Sequence, residues 1–474
     1  MDDKFLPSMT SVSLDTLVKE EYRIYQIYTL MDRAIPYLQD GLKPSQRRIL
    51  YTLWKNSNKG LIKVSSLTGL VLTLHPHGPQ SVEASIVNLA QDFCFSNNYP
   101  LLDKKGYFGE RMETQAAAAR YIECKLGKVA EVLLFDDMNQ VQMVPNYDEK
   151  VMEPVGLLPK LPLMLLNGSE GIGTGFSSVI PSFNHKDIIK AMISFVQTGK
   201  CKKIKPWVRY FTGDVEVDER NRVLFKMLFK QIGDKIFIVE LPRGYDAQKL
   251  YRHLNKMMEQ DFLKDYVDSS VDNEIKVELI FKRGFTPTLE EVEAKMGVTS
   301  SLSPNFTLIT EKGVKVFDTV EEIIEIFTAQ RLVVTKRRYE LLIQDYEARL
   351  QKNNEIIRFI KEKHYAIAEK KANRKDYVDY LTKSKFTYAE YLADMAIYRM
   401  TKEEVEKRLL LIKDETKALT EFRKILKSPE LIKSKLIEEL NDVDKKLTEI
   451  MDTKEKDKKK AFARAPKPPT RTRQ

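Results

Sequence analysis

Apolar positions recur at helical spacing through SLDTLVKEEYRIYQIYTLMDRAI, where Ser13 or Asp15 is placed to cap a helix that Pro36 ends. A second helix is predicted after Pro44 in DGLKPSQRRILYTLW. A shorter one runs through VSSLTGLVLTL before an HPHG turn, and SVEASIVNLAQDF restarts the pattern. Several short helices at this spacing predict a helix-turn-helix or winged-helix domain, in which one helix can enter a major groove. Beyond about residue 150 the texture changes. KIFIVELP and EIKVELIF alternate or run apolar as strands do, Gly and Pro punctuate them, and AQKLYRHLNKMMEQ has helical spacing.

From Val320 the chain turns strongly helical. Tyr339, Ile343, Tyr346, Leu350, Ile357 and Ile360 follow steps of three and four, broken at Asn353; Val405, Leu409, Ile412, Leu419 and Leu426 form a second stripe. Ser428-Pro429-Glu430 has the form of a capped helix start, after which Leu436, Leu440, Val443 and Leu447 continue the stripe. Two such arms, separated by a short helical stretch, predict an antiparallel coiled coil carrying a small head. The fold class is therefore α+β and multidomain: 1–150 helical, 151–320 α/β, 321–450 coiled coil with head, and 451–474 a basic, disordered tail.

Composition changes this picture in few places. Charged residues make up 31% of the chain, which fits long solvated helices or a polyanionic partner. The net charge is +10, but residues 454–474 hold nine Lys or Arg against two acids, so the remainder is nearly balanced and local basic clusters must carry any case for nucleic acid. No apolar run approaches the roughly 18–20 residues of a membrane helix, and MDDKFLPSMTSVSLD has no basic region leading into an apolar one. Three cysteines lack metal-ligand spacing, and of five histidines only His75 and His77 are neighbours. The expectation is a soluble, cytoplasmic protein with reduced thiols, no membrane association and no metal site of its own.

Four segments carry candidate chemistry. Arg120-Tyr121 ends a run of four alanines that allows close approach by a backbone or a polyanion. A phenol is about a thousandth ionised at neutral pH, so attack on a phosphodiester needs cations beside it. Among 21 tyrosines, an Arg-Tyr pair read alone is an ordinary structural feature. Asp40–Arg48, following Arg33, holds Lys43, Arg47 and Arg48 around a helix start, where amides also favour phosphate; as a bare charge run it reads as a solvated face. His75-Pro76-His77-Gly78 lacks nearby Cys, Asp or Glu to complete a metal site. Asn167–Gly175 has four glycines, which permit close backbone approach, for example to phosphates, but lacks the Lys-Ser/Thr ending of an ATP-binding loop.

In this order and spacing the four segments resemble the tyrosine-bearing, breakage–reunion subunit of type IIA DNA topoisomerases. The resemblance runs through RAIPYLQDGLKPSQRRILYTLW, HPHG, NNYPLLDKKGYFGER, AAAARYIECKL, NYDEKVMEPVGLLPKLPLMLLNGSEGIGTGF and VELPRGYDAQKL. It implies a winged-helix DNA-cleavage domain, an α/β tower domain, and a coiled coil with a helical dimerisation head. It further implies that Tyr121 attacks a scissile phosphate and stays joined to the 5′ end, with Arg120, Arg33 and His77 at positions that contact or stabilise that phosphate. Lys43, Arg47, Arg48 and His75 match supporting DNA contacts, and Ile172 an apolar wedge that bends the DNA.

Duplex DNA, a second copy of the chain, and a partner subunit carrying the ATPase and most of the Mg2+ site are the partners the resemblance implies. The sequence shows no ATP-binding motif, no Glu followed by an Asp-x-Asp that would hold the catalytic magnesium, and no Gly-rich C-terminal repeat domain. The implied activity is therefore ATP-dependent relaxation and decatenation, with ATP bound by the partner and Mg2+ held mainly by it. SNNYPLL and EGIGTGFSSVIP follow the eukaryotic and viral branch, and a separate tyrosine subunit of that branch resembles the medium subunit of T-even-type bacteriophage topoisomerases, which would act in the host cytoplasm. The competing class is a non-catalytic winged-helix and coiled-coil DNA-binding dimer, which has no need of Arg33, His77, Arg120 and Tyr121 together.

Overall fold

The computed structural model describes residues 13–464; residues 1–12, read above for a leader, and residues 465–474 of the basic tail lie outside it. The chain forms two compact units. One holds the residues up to Gln330 together with those from Glu439 onward, and the other is Arg331–Glu438.

In the first unit the opening helix spans residues 14–34, with wide π-type turns at Leu17–Tyr22 and Leu30–Ala34. The second wide turn closes with the Ile35 amide donating to the Leu30 carbonyl at 3.1 Å. Such turns often sit at functional positions, and this one carries Arg33. Helices Pro44–Lys55, Val64–Val71 and Pro79–Ala90 lie where the periodicity puts them. Pro44 and Pro79 take first helical positions, where a missing N–H leaves no bond unmade. Ile49, Leu50, Leu53, Leu67, Val82 and Ile86 are buried from these helices. The helices meet a three-stranded antiparallel sheet in which Glu123–Leu126 lies between Ile62–Lys63 and Leu102–Lys105. These strands are short and charged, so their apolar alternation is too brief to read from sequence.

The middle stretch builds a four-stranded antiparallel sheet in the order Leu228–Ile232, Lys235–Glu240, Val277–Ile280, Asp265–Asp268. Helix Ala247–Glu259 sets Leu250, Leu254 and Met257 one turn apart into a core with Ile236, Ile238, Val277 and Leu279. Among the hairpins outside this sheet, two bear on the site. Ser169–Ile172 pairs with Ser177–Ile180, and Phe306–Thr310 with Gly313–Phe317.

In the second unit the part of helix Val320–Lys361 from Arg331 onward and helix Lys402–Lys427 run antiparallel, since residues 339–353 meet residues 422–408 in reverse order. Tyr339 and Tyr346 meet Phe422 with ring centroids 5.8 and 5.2 Å apart. Asn353, the break in the stripe, has a use there: its amide donates to Glu415 at 3.3 Å and accepts from Arg408 at 2.9 Å. A polar pair of this kind fixes register at a cost in stability. The head is a small core of Ile356, Phe359, Tyr377, Leu381, Phe386 and Leu392.

The basic tail differs from its expectation. Helix Pro429–Arg464 continues through the charge run. Lys454 pairs with Asp103 at 2.9 Å, and Lys458 reaches Asp92 at 3.2 Å and Asp272 at 3.7 Å. The acids that neutralise these lysines lie far upstream in sequence, so a charge count along the tail cannot see them. Among the described residues no helix is long and apolar enough to cross a membrane.

Candidate functional site

A groove of about 650 Å³ is lined by Asp32, Arg33, Lys43, Ser45, His75, His77 and the start of helix Pro79–Ala90. Arg33, Lys43, His75 and His77, drawn from three segments of sequence, are thus brought together. Ser45 belongs to the first turn of Pro44–Lys55, and Pro79, Gln80 and Ser81 to the first turn of Pro79–Ala90. Two helix N-termini therefore edge the groove, each presenting the positive end of a helix dipole. With one acid among its lining residues, the groove favours an anion such as a backbone phosphate.

His75 is buried, and its Nδ1 lies 3.1 Å from Arg48 Nη1, which has only protons to offer; the ring proton therefore sits on Nε2. Burial, with the Arg48 and His77 charges adding to it, pushes the His75 pKa down to about 4. The ring is a neutral hydrogen-bonding group at physiological pH rather than a cation. His77 is half-buried, 3.2 Å from the Tyr28 hydroxyl and edge-on to His75. Because the folded chain takes up the His75 proton less readily than the unfolded one, this group leaves stability constant above about pH 6.5 and lowers it as pH falls from 6.5 towards 4. Melting curves of the protein and of His75→Gln across that range check this: the variant should lose the slope that His75 contributes.

Arg47 and Arg48 depart from their expected place at the DNA surface. Arg47 is buried, with Nε donating to Asp40 Oδ2 at 2.6 Å and Nη2 to Oδ1 at 3.1 Å, and its guanidinium lies 4.6 Å over the Tyr37 ring. The same Asp40 carboxylate accepts the amides of Leu42 and Leu157, so the pair ties the loop before the helix to the segment leading to residue 160. Arg48 donates to both Glu153 oxygens at 2.6 and 2.9 Å. It meets the site only through His75. Glu153 was not legible as a partner, because 105 residues separate it from Arg48, whereas Asp40 lies within the same short segment as Arg47. The exposed cations are Arg33 and Arg120, and among the described residues neither makes an ion pair.

The glycines of residues 167–175 serve a different neighbour from the phosphates expected. A Cβ added at Gly171 would stand 1.9 Å from the Ala34 carbonyl oxygen, and one at Gly173 would stand 2.5 Å from Leu30 Cδ2. Gln26 Nε2 donates to the Thr174 carbonyl at 2.8 Å, and Lys43 Nζ to that of Glu170 at 2.6 Å. Burial lowers the Lys43 pKa, with Glu170 opposing the shift. The hairpin lies directly on the helix that carries Arg33, and only glycine leaves room for that approach. Ile172, at its end, is 90% exposed. Gly171→Ala is expected to cost about 1–3 kcal/mol by overpacking and to weaken DNA binding by displacing Arg33. Thermal melting and a binding titration at fixed salt measure both effects.

Tyr121 is 69% exposed and stands in a turn, its amide donating to the Ala118 carbonyl at 2.9 Å. The Arg120 guanidinium lies over its ring at 4.6 Å. Bonds from the Val64 amide to Ile122 (3.0 Å) and the Ser65 amide to Ala119 (3.3 Å) fix this turn to the start of helix Val64–Val71. Neither Tyr121 nor Arg120 lines the groove of Arg33 and His77, and Ile172 does not line it either. Among the described residues no group of three or more His, Cys, Asp or Glu is placed to hold a metal ion.

An exposed tyrosine with a cation on its ring, on the same unit as an anion-favouring groove, agrees with what comparison with known proteins finds. Residues 33–441 match the family of the DNA gyrase/topoisomerase IV A-type subunits, and the chain belongs to that family. It is similar to the mitochondrial DNA topoisomerase 2 of Dictyostelium discoideum, 33% identical over 342 residues, 69% of this chain and 26% of that protein. It is likewise similar to DNA topoisomerase 2 of Saccharomyces cerevisiae, 30% identical over 388 residues, 77% of this chain and 27% of that protein. The chain thus spans about a quarter of the length of these relatives. The fold matches the crystal structure of the Plasmodium falciparum topoisomerase II DNA-binding, cleavage and re-ligation domain with a TM-score of 0.81 and 26% identity, over 92% of this chain and 65% of that one.

Proposed function

We propose that this chain is the DNA-cleaving subunit of an ATP-dependent type IIA topoisomerase, which makes a transient double-strand break, passes a second duplex and religates. The observation that carries the reading is Tyr121, exposed beside Arg120 on the unit that also presents the Arg33, Lys43 and His77 groove. The Tyr121 oxygen attacks phosphorus, the bond to the 3′ oxygen breaks, and the 3′ hydroxyl leaves with a proton while the 5′ phosphate stays on the phenol. Religation reverses each step. Arg120 stabilises the phenolate and the charge growing on phosphorus. Arg33, Lys43, His77 and the two helix N-termini hold the DNA backbone, and neutral His75 orients by hydrogen bonding. Ile172 wedges between base pairs to bend the duplex.

The domain division proposed is a winged-helix domain over residues 1–150, a tower domain over 151–320, a coiled coil with a dimerisation head over 321–450 and a basic end over 451–474. Exposed Ile397, Tyr398 and Leu410 in the second unit supply apolar surface for a second copy of the chain. ATP, and most of the Mg2+ site, are proposed to lie on a partner subunit. Leu14, Leu17, Val18, Ile24 and Tyr25, all exposed on the opening helix, give that partner an apolar face to cover. The SNNYPLL and EGIGTGF segments support the finer reading as the medium subunit of a T-even-type phage enzyme, working in the cytoplasm.

Mixing the chain with a candidate ATPase and metal-binding subunit, magnesium and supercoiled plasmid, then trapping with detergent, tests the proposal. Cleaved DNA with protein on its 5′ ends is expected. Relaxation by this chain alone, without partner or magnesium, would contradict the two-subunit reading, and DNA binding without any cleavage would favour the non-catalytic dimer.

A further inference from the structure

The segment that delivers Tyr121 is long and irregular. Between strands Leu102–Lys105 and Glu123–Leu126 no helix or strand forms. A loop of this length wanders unless something ties it down. Part of the tie is local. The Ala117 amide donates to the Tyr107 carbonyl at 3.0 Å and the Glu110 amide to Glu113 at 2.8 Å, while Gln91 Nε2 donates to the carbonyls of Phe108 and Thr114, each at 3.0 Å.

The loop's midpoint is held in another way. Arg111, in the YFGER segment, is 3% exposed. Its Nη2 donates to a Glu240 carboxylate oxygen and to the Leu241 carbonyl at 2.8 Å, and its guanidinium lies 5.6 Å over the Phe95 ring. Glu240 is fully buried at the end of strand Lys235–Glu240. Its other oxygen accepts from the Thr212 amide and hydroxyl, both at 2.7 Å. Beside this pair the Ala247 amide donates to the Met112 carbonyl at 3.0 Å. The nucleophile's loop is therefore fastened to the four-stranded sheet, not only to its own helices.

We infer that Arg111 and Glu240 are positioning residues for the cleavage step: their buried ion pair sets the place of the Tyr121 loop against the sheet. The inference rests on the reading of Tyr121 as nucleophile. A buried ion pair gives little stability that a well-packed apolar pair would not also give, but it fixes direction, since a guanidinium and a carboxylate meet in few geometries. Reactivity, in turn, is steeply sensitive to where the nucleophile stands. Neither residue lines the groove of Arg33 and His77, so neither is a DNA ligand there.

The test compares the full chain, Arg111→Met, Glu240→Gln and the paired Arg111→Met/Glu240→Leu, each with the ATPase and metal-binding partner. Melting, DNA affinity, cleavage rate and hydrogen exchange over residues 107–121 are followed. The single variants are expected to lower the melting temperature. The paired variant should recover most of it, because no charge is left buried alone. In the paired variant DNA affinity should stay within about twofold, cleavage should fall by about 10²-fold, and loop amides should exchange faster. Full-rate cleavage with native exchange in the paired variant would overturn the inference, as would a cleavage loss matched by an equal loss of DNA affinity. If the unaltered chain forms no tyrosine-linked complex, the functional reading fails on that result. The exchange data then still decide whether the pair anchors the loop.

Discussion

Replacing Tyr121 with Phe should eliminate covalent DNA–protein complexes while the protein folds and binds DNA as before. The side chain is 69% exposed, so losing its hydroxyl creates no cavity and strands no buried partner. Stability should move by no more than about 0.5 kcal/mol, as for most surface changes. The cleavage rate should fall by at least about 10⁴-fold, because no other group on the turn can attack phosphorus and a covalent route has no partial substitute for its nucleophile. On the proposed function, DNA affinity is set elsewhere, by the groove lined by Arg33 and Lys43 and edged by two helix N-termini. Gel-shift titrations and detergent-trapped cleavage assays on the same preparation separate these effects.

Arg47→Ala should produce the largest loss of stability, about 3–5 kcal/mol, because it leaves the Asp40 carboxylate buried without its counter-charge. Asp40 also accepts the Leu42 and Leu157 amides, so the strain spreads into the loop that places Lys43. Two outcomes distinguish this role from a direct phosphate contact. If Arg47 is structural, Asp40→Leu/Arg47→Met should regain most of the lost stability, and the salt dependence of DNA binding should be unchanged. A phosphate contact would instead lower the slope of log affinity against log salt by about one without that loss of melting temperature.

The helices were legible because their apolar positions repeat over many turns: Ile49, Leu50 and Leu53 in one, and Leu250, Leu254 and Met257 in another, are buried as their spacing requires. The antiparallel arms could be read for the same reason, including the place of the break at Asn353. Strands Leu102–Lys105 and Glu123–Leu126 could not be read, since four residues with so many charges give no period to detect. The site shows the same division. Motif order drew attention to Arg33, His77, Arg120 and Tyr121, but the same resemblance also placed Arg47 and Arg48 among the DNA contacts, whereas Arg47 is buried and both are paired with acids. Glu153 is brought to Arg48 by the fold, as are Asp103 and Asp92 to the lysines of the last helix. The glycines of residues 167–175 signalled close approach correctly, but the neighbour is the helix carrying Arg33, which no local pattern could name.

The most direct test of the account is to find which atom holds the DNA. Complexes trapped on plasmid in the presence of magnesium and the partner subunit would be digested with nuclease and protease, and the modified peptide sequenced by mass spectrometry. Of the chain's 21 tyrosines, the account predicts a nucleotide joined through its 5′ phosphate to Tyr121 alone, with free 3′ hydroxyls on the DNA. A 3′ linkage, or a nucleotide on another residue with Tyr121 unmodified, would contradict it.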